Sequence, residues 1–327
     1  MNLYEWQRLH CRRRFLREVA GGIGMVGLAE LLGAEGRPPA PASSAPADPL
    51  APRAPHFPGK AKSIIFMFME GGPSQMDLFD PKPALARWHG QPLPPSFTRN
   101  LQLAFIKPTA AVLASPRQFK PQGQCGAEYS DYIPHIGSCA DDICLVRSLR
   151  TDAFNHHPGQ LLLFTGSTQF GRPTMGAWAV YGLGSESKNL PGFVVLSSGV
   201  GTSCGASNFS CGFMPSSYQG TLFRSSGDPI LYLSNPPGVT EKMQRAGLDA
   251  LGDLNRERLA ASGDLEIVSR INAYELAFRM QTQAPELVDL AKESEATRKL
   301  YGLDNPVSAP FARQCLLARR MVERGVR

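Results

Sequence analysis

The sequence predicts an α/β fold in which a mainly parallel sheet is flanked by helices. Three observations carry that expectation. Residues 63–69, 143–146 and 193–196 are short, continuous apolar runs of the kind found in strands buried on both faces. The first run ends in Glu70-Gly71-Gly72-Pro73-Ser74, a glycine-rich loop, and Asp80-Pro81 then supplies a helix N-cap and a first-turn proline. Helical segments separate and follow the runs, and strands alternating with helices argue for parallel pairing with both faces covered.

Taken in order, the chain opens with Arg12-Arg13-Arg14-Phe15-Leu16 ahead of a mildly apolar, glycine-rich stretch over residues 19–32 that contains Glu30. That stretch falls short of the roughly 20 apolar residues needed to cross a bilayer, so no transmembrane span is expected. A basic segment, a short apolar segment and then small residues make the layout of an export signal. Arg-Arg-x-Phe-Leu resembles the twin-arginine motif, an address read by the twin-arginine translocase. Residues 1–36 are therefore read as a signal that directs the protein to the periplasm or another extracytoplasmic space. An Arg-rich amphipathic helix is the other reading of the same residues. Ala45-Pro46-Ala47 is a poor cleavage site, and an uncleaved signal would leave the protein tethered to the membrane. Eight prolines lie between Pro38 and Pro58 among Ala and Ser, so residues 37–59 read as an extended linker. The folded domain is expected over residues 60–327.

Within that domain, a helix is expected over residues 132–140 before the second run. Another, over 158–164, is closed by Thr165-Gly166, and Leu190-Pro191-Gly192 turns into the third run. Beyond Val239 the pattern is helical over 240–259, 265–280, 285–290 and 310–323. The last helix carries Phe311, Cys315, Leu316 and Met321 on an apolar face, with Arg313, Arg320 and Arg324 turned away. A crossover helix packs against the strand it leads to, and that strand would begin at Val326-Arg327. The chain is therefore expected to be a C-terminally truncated, incomplete domain of marginal stability that binds no catalytic metal tightly.

A formal net charge of +6 does not mark a nucleic-acid binder. The last seventeen residues supply +4 of it and the first forty another +2, which leaves the body close to neutral and without a basic patch interleaved with aromatics. Seven cysteines are too few for a disulfide scaffold in a chain this long, and no Cys-x-x-Cys occurs. Cys204 and Cys211 flank a Gly/Ser-rich loop and read either as a pair formed in an oxidising compartment or as free thiols.

The residues able to carry chemistry cluster at two run ends, where open α/β sheets place their ligands. In Glu70-Gly71-Gly72-Pro73-Ser74-Gln75-Met76-Asp77, glycines allow close backbone approach to a ligand, and Glu70 or Asp77 can hold a hard cation through oxygen. A tight turn with solvated carboxylates is the plainer account. The second cluster, Asn155-His156-His157-Pro158-Gly159-Gln160, holds two of the six histidines at a helix start. A helix N-terminus favours anions and keeps imidazole neutral, hence able to bind metal. His156 and His157 are the candidate catalytic residues, as ligands or acid–base groups. Gly71, Gly72, Ser74, Gln75 and Asn155 are the candidate substrate contacts, and Glu70 and Asp77 the candidate metal ligands.

Residues 156–166, His-His-Pro-Gly-Gln-Leu-Leu-Leu-Phe-Thr-Gly, resemble the sulfatase motif Cys/Ser-x-Pro-Ser-Arg followed by Leu-Leu-Thr-Gly, with Pro158 and Thr165-Gly166 in step. The stretch from about Lys62 to Arg327 resembles, more closely, the family called domain of unknown function 1501, abundant in planctomycetes and placed in the alkaline phosphatase-like group. The phrases that carry the likeness are Gly71-Gly72-Pro73-Ser74-Gln75, Asp77-Leu78-Phe79-Asp80-Pro81-Lys82-Pro83, Thr151-Asp152-Ala153-Phe154-Asn155-His156 and Asn189-Leu190-Pro191-Gly192-Phe193. The resemblance implies an alkaline phosphatase-like fold and a metal-dependent hydrolase of phosphate or sulfate esters, with Zn, Ca or Mg as the divalent metal and small molecules or polysaccharide fragments as substrates.

The sequence also departs from that pattern. His156 stands where sulfatases carry the residue that becomes their formylglycine nucleophile, and Gly159-Gln160 replaces Ser-Arg. Glu70 and Gly71 replace the first metal-binding aspartates, and the late Asp and His ligands have no counterpart. The fold therefore carries over better than the mechanism. A non-catalytic exported binding or scaffold protein with a degenerate site is the alternative expectation.

Overall fold

The structure, a computed structural model, describes residues 48–327 apart from 71, 100–106, 108, 199–201, 225–226 and 232. The expected signal, the first part of the expected linker and Gly71 lie outside the described residues. Three short helices come first, α1 (Gln75–Leu78), α2 (Ala84–Trp88) and α3 (Pro95–Thr98), followed by strands β1 (Phe119–Gln122) and β2 (Ala127–Ser130) and the short helix α4 (Pro134–Gly137). Then come α5 (His156–Thr165), α6 (Met175–Leu183), β3 (Val194–Leu196) and β4 (Thr221–Phe223), and after them α7 (Glu241–Ser262), α8 (Glu266–Val288), α9 (Glu295–Tyr301) and α10 (Ala309–Val322). Among the described residues no helix is long and apolar enough to cross a membrane.

The molecule is mixed α/β, with more helix than sheet. Of the three apolar runs, the third pairs in parallel, Val194 opposite Thr221 through Leu196 opposite Phe223. The other two differ from expectation. Residues 63–69 and 143–146 are extended but enter no ladder among the described residues. Ile64, Phe66 and Met67 are about half exposed. A run buried on both faces needs strand neighbours as well as helices. Here residues 63–69 have α5 on one side, through Phe66 and Phe68 packed edge-on against Phe164, and a backbone bond from Ile64 N–H to the Arg327 carbonyl (2.7 Å). A hairpin not foreseen from the sequence joins β1 and β2 in antiparallel register, Phe119 opposite Ser130. The Asp141 carboxylate braces its turn by accepting from the Gln124 and Cys125 N–H groups (2.9 and 2.8 Å).

Helix ends follow local chemistry. Thr240 caps α7 by accepting from Met243 N–H (3.2 Å), and Gly263 closes that helix in the left-handed region (φ 65°). The segments expected as separate helices over 265–280 and 285–290 are one helix, α8, which carries Pro285 inside it.

The main core lies where α8 and α10 meet the parallel pair. Leu190, Phe223, Met280, Leu287, Leu317, Met321 and Val326 are buried together there, with Val194 and Leu196 packed against them. α10 presents Leu316 and Met321 inward as expected, but Phe311 is half exposed and Arg320 is buried. Arg320 was expected to point away. It is drawn in because Glu293 and the carbonyls of Glu286 and Asp289 accept from its two terminal nitrogens (3.0, 2.6 and 3.1 Å), while its Nε has no partner among the described residues.

A second cluster, Ala177, Val180, Met214 and Tyr218, sits beneath α6. Residues 48–53, within the segment expected as linker, run along this helix. Ser185 N–H donates to the Leu50 carbonyl and Arg53 N–H to that of Leu183 (both 2.9 Å). Gly184 permits that approach: it has φ 69°, and a Cβ there would overlap the Ala51 carbonyl.

Candidate functional site

α5 gathers the site. Asn155 precedes it in extended backbone, its Oδ1 accepts from His157 N–H (3.3 Å), and Gly166 closes the helix at φ 73°. Because Phe66 and Phe68 pack against Phe164 near the far end of α5, the extended chain of residues 63–69 delivers Glu70 to the first turns of the helix, beside His156 and Gln160.

There Glu70 is bound on several sides. Both carboxylate oxygens accept from Ser203 N–H (3.1 and 3.2 Å). The Ser203 hydroxyl, then the Gln160 amide, hold its carboxyl below the usual carboxylate range, with smaller help from Ser203 N–H and the nearby His156. Gln160 is buried and points its Nε2–H at the Ser203 Oγ (2.9 Å), while its Oε1 accepts from the Asn208 Nδ2–H (2.8 Å). Asn208 is buried too, and its Oδ1 has no partner among the described residues. A chain of donors thus runs from Asn208 through Gln160 and Ser203 to Glu70, tying residues 202–208 to α5.

The first turn of α5 keeps few free N–H groups for a ligand. His157 N–H is taken by Asn155 Oδ1, Pro158 has none, and Gly159 N–H goes to the Asn155 carbonyl (3.0 Å). An incoming anion would meet His156 N–H and the two imidazoles rather than a full cradle of backbone donors. Cys204 donates its thiol to the His157 carbonyl (3.3 Å), and burial followed by the Glu70 charge pushes that thiol's pKa up. Cys204 and Cys211 are both free.

The other expected site residues fall elsewhere or serve the backbone. Gly72 closes a tight turn, its N–H bonded to the Met69 carbonyl (3.1 Å), where a Cβ would crowd that same oxygen. Ser74 and Gln75 are exposed at the start of α1. Asp77 is held below its ordinary pKa by the Ser115 hydroxyl first, then Ser74, with Arg117 nearby. No hydrogen bond or ion pair joins Asp77 to Glu70 among the described residues. The structure thus brings Glu70, Asn155, His156 and His157 together and leaves Ser74, Gln75 and Asp77 in a separate local cluster.

A divalent metal needs several hard or imidazole donors converging on one point. Among the described residues no three His, Cys, Asp or Glu side chains do so. Both oxygens of Glu70 accept from Ser203 N–H. These residues do not fit the metal centre that the sequence resemblance implies.

Gln160 stood in the second cluster without a role of its own, and Ser203 and Asn208 were not singled out from the sequence. A signal existed for the first, a long polar side chain leading into Leu161-Leu162-Leu163-Phe164. Ser203 and Asn208 sit in a Gly/Ser-rich loop with no spacing to mark them.

Residues 61–327 match the family described as Protein of unknown function (DUF1501). No curated protein and no solved structure matches the chain.

Proposed function

The chain belongs to the DUF1501 family, and from that premise we propose that it is an exported protein of the alkaline phosphatase/sulfatase-like group that handles phosphate or sulfate esters at Glu70 and His156. The group's mainly parallel sheet, export by the twin-arginine translocase to an extracytoplasmic space, and tethering by an uncleaved signal belong to the same proposal. The observation that carries it is the meeting of Glu70, at the end of an apolar extended run, with His156 and His157, at the start of the next helix. Open α/β folds place their ligands at such a junction. His156 and His157 would contact the ester oxygens and move the proton to the leaving oxygen, a role suited to imidazole near neutral pH. Glu70, its charge already compensated by Ser203 and Gln160, would orient His156.

A second reading, a non-catalytic exported binding protein on the same fold, is favoured by one observation. No set of three or more metal-binding side chains converges among the described residues.

The experiment is a hydrolysis assay of the purified chain on p-nitrophenyl phosphate and p-nitrophenyl sulfate, with and without added Zn2+, Mg2+ or Ca2+. Ester handling by catalysis predicts turnover that falls on the order of a hundredfold in His156→Ala, the usual size of an acid–base contribution. Saturable ester binding with no turnover under any of these conditions would establish the binding protein. Neither binding nor turnover would remove the proposal.

A further inference from the structure

The outer face of α6 is apolar where a surface helix is ordinarily polar. Ala177 and Val180 face inward and are fully buried, while Met175, Trp178 and Tyr181, three residues apart along the helix, are 42%, 47% and 46% exposed. Phe213, 71% exposed, joins them from a neighbouring loop. Four rings form a row. Phe213 meets Trp178 edge-to-face (6.0 Å between centroids), Trp178 meets Tyr181 (5.9 Å), and Tyr181 meets the buried Tyr218 (5.4 Å). Each ring braces the next. The row is fixed further by Arg53, whose guanidinium lies 5.7 Å from the Tyr181 ring and donates to the Tyr181 carbonyl.

Its charge is as distinctive as its rings. Residues 170–185 and 209–223 contain no carboxylate, and their one charged side chain is Arg172. Gly212 (φ 56°) lies so close to the backbone of Arg172 and Pro173 that a Cβ would overlap it, which puts Arg172 beside the Phe213 loop. Arg172 is exposed and makes no hydrogen bond or ion pair among the described residues. The carboxylate that does reach this loop, Glu266, is taken up by the Ser216 hydroxyl (2.8 Å).

From this row and its cation we infer that the outer face of α6, with Phe213 and Arg172, binds an acidic carbohydrate chain. The C–H face of a pyranose is apolar and slightly positive, and it stacks on the negative face of an aromatic ring. A guanidinium free of internal partners pairs with a sugar carboxylate or sulfate in a two-pronged contact. Other occupants suit the surface less well. A specific protein interface takes roughly 20–30 residues a side, far more than this narrow stripe. An anionic membrane surface selects helices rich in Lys and Arg on the polar face, and here the cations are two, Arg172 and Arg53, neither of them on α6. Carbohydrate binding at α6 does not depend on ester chemistry at Glu70 and His156.

The test is calorimetric titration of the full 327-residue chain with galacturonan oligosaccharides and with neutral galactan oligosaccharides of equal length, neither of which carries a phosphate or sulfate ester. The acidic series should bind more tightly, lose affinity with added salt, and change Trp178 fluorescence. Trp178→Ala should weaken binding roughly tenfold or more, as truncation of a central aromatic contact does. Arg172→Gln should erase the preference for the acidic series while binding of the neutral one persists. Phe213→Ser, at the most exposed ring, carries the same test if Trp178→Ala fails to fold. Four results would overturn the inference: unchanged affinity in these variants, no binding to either series, binding to phosphatidylglycerol vesicles in place of the sugar, or a self-association abolished by Trp178→Ala.

Discussion

Glu293→Ala is expected to destabilise the protein by about 3 kcal/mol, the cost typical of removing one partner from a buried ion pair. The side chain of Arg320 is 6% exposed, and its two terminal nitrogens donate to Glu293 and two backbone carbonyls. Glu293 also pairs with Arg319 (2.8 Å). Without that carboxylate, Arg320 keeps its charge in the interior between α8 and α10 with carbonyl oxygens alone to answer it. Against a net stability of about 5–15 kcal/mol this is a large fraction. Urea unfolding should show the loss as a lower midpoint at unchanged slope. Adding Arg320→Met should recover much of it, because the stranded charge is gone. The effect also has a pH signature. Arg319 first, with Arg320, holds the Glu293 carboxyl below its ordinary value of 4.5. A depressed carboxylate pKa contributes stability that is complete above the unfolded value and fades as pH falls through the folded one. The gap between wild type and Glu293→Ala should therefore be full at pH 7 and shrink below pH 4.5.

Leu287→Ala should cost roughly 2–5 kcal/mol, the range for emptying a buried leucine site whose surroundings relax only in part. Leu287 is fully buried in α8, in one cluster with Leu190, Phe223, Met280, Leu317 and Met321, so the cavity would open where helix, strand pair and helix meet. Leu287→Met, which keeps the volume, should cost less than about 1.5 kcal/mol. Leu300→Ala, at a leucine 83% exposed, should stay within about 0.5 kcal/mol of wild type. Equal effects at Leu287 and Leu300 would contradict the placement of the core.

What could be read in the sequence was what neighbouring residues decide among themselves. Asn155 and Gly166 bound α5, and Thr240 and Gly263 bound α7, through bonds that close within a few residues. The sheet was less legible. Residues 63–69 and 193–196 look alike as apolar runs, yet among the described residues the second finds a ladder partner in β4 and the first does not, because pairing depends on segments distant in the chain. Arg320 shows the same limit on a helix. Helical periodicity set it with the outward arginines, and Glu293 and two carbonyls at the C-terminal end of α8 drew it in.

The site divides along the same line. A strand-like run, a glycine turn and a histidine-bearing helix start announced that Glu70 and His156 could meet. The residues that fix Glu70, by contrast, come from two places: Gln160 from within α5, and Ser203, backed by Asn208, from a Gly/Ser-rich loop whose composition marks no single position. Asp77 looked equivalent to Glu70 as a carboxylate after the same loop. Ser115 and Ser74 claim it instead, and no spacing in the sequence reveals the first of them.

The central claim is that the junction of Glu70, His156 and Ser203 is where this family member meets its ligand. Backbone amide NMR during titration with p-nitrophenyl phosphate and p-nitrophenyl sulfate tests it most directly. Saturable shifts confined to residues 155–160 and 202–208, and lost in His156→Ala, are the predicted result. Shifts centred on other elements, or unchanged in His156→Ala, would contradict it.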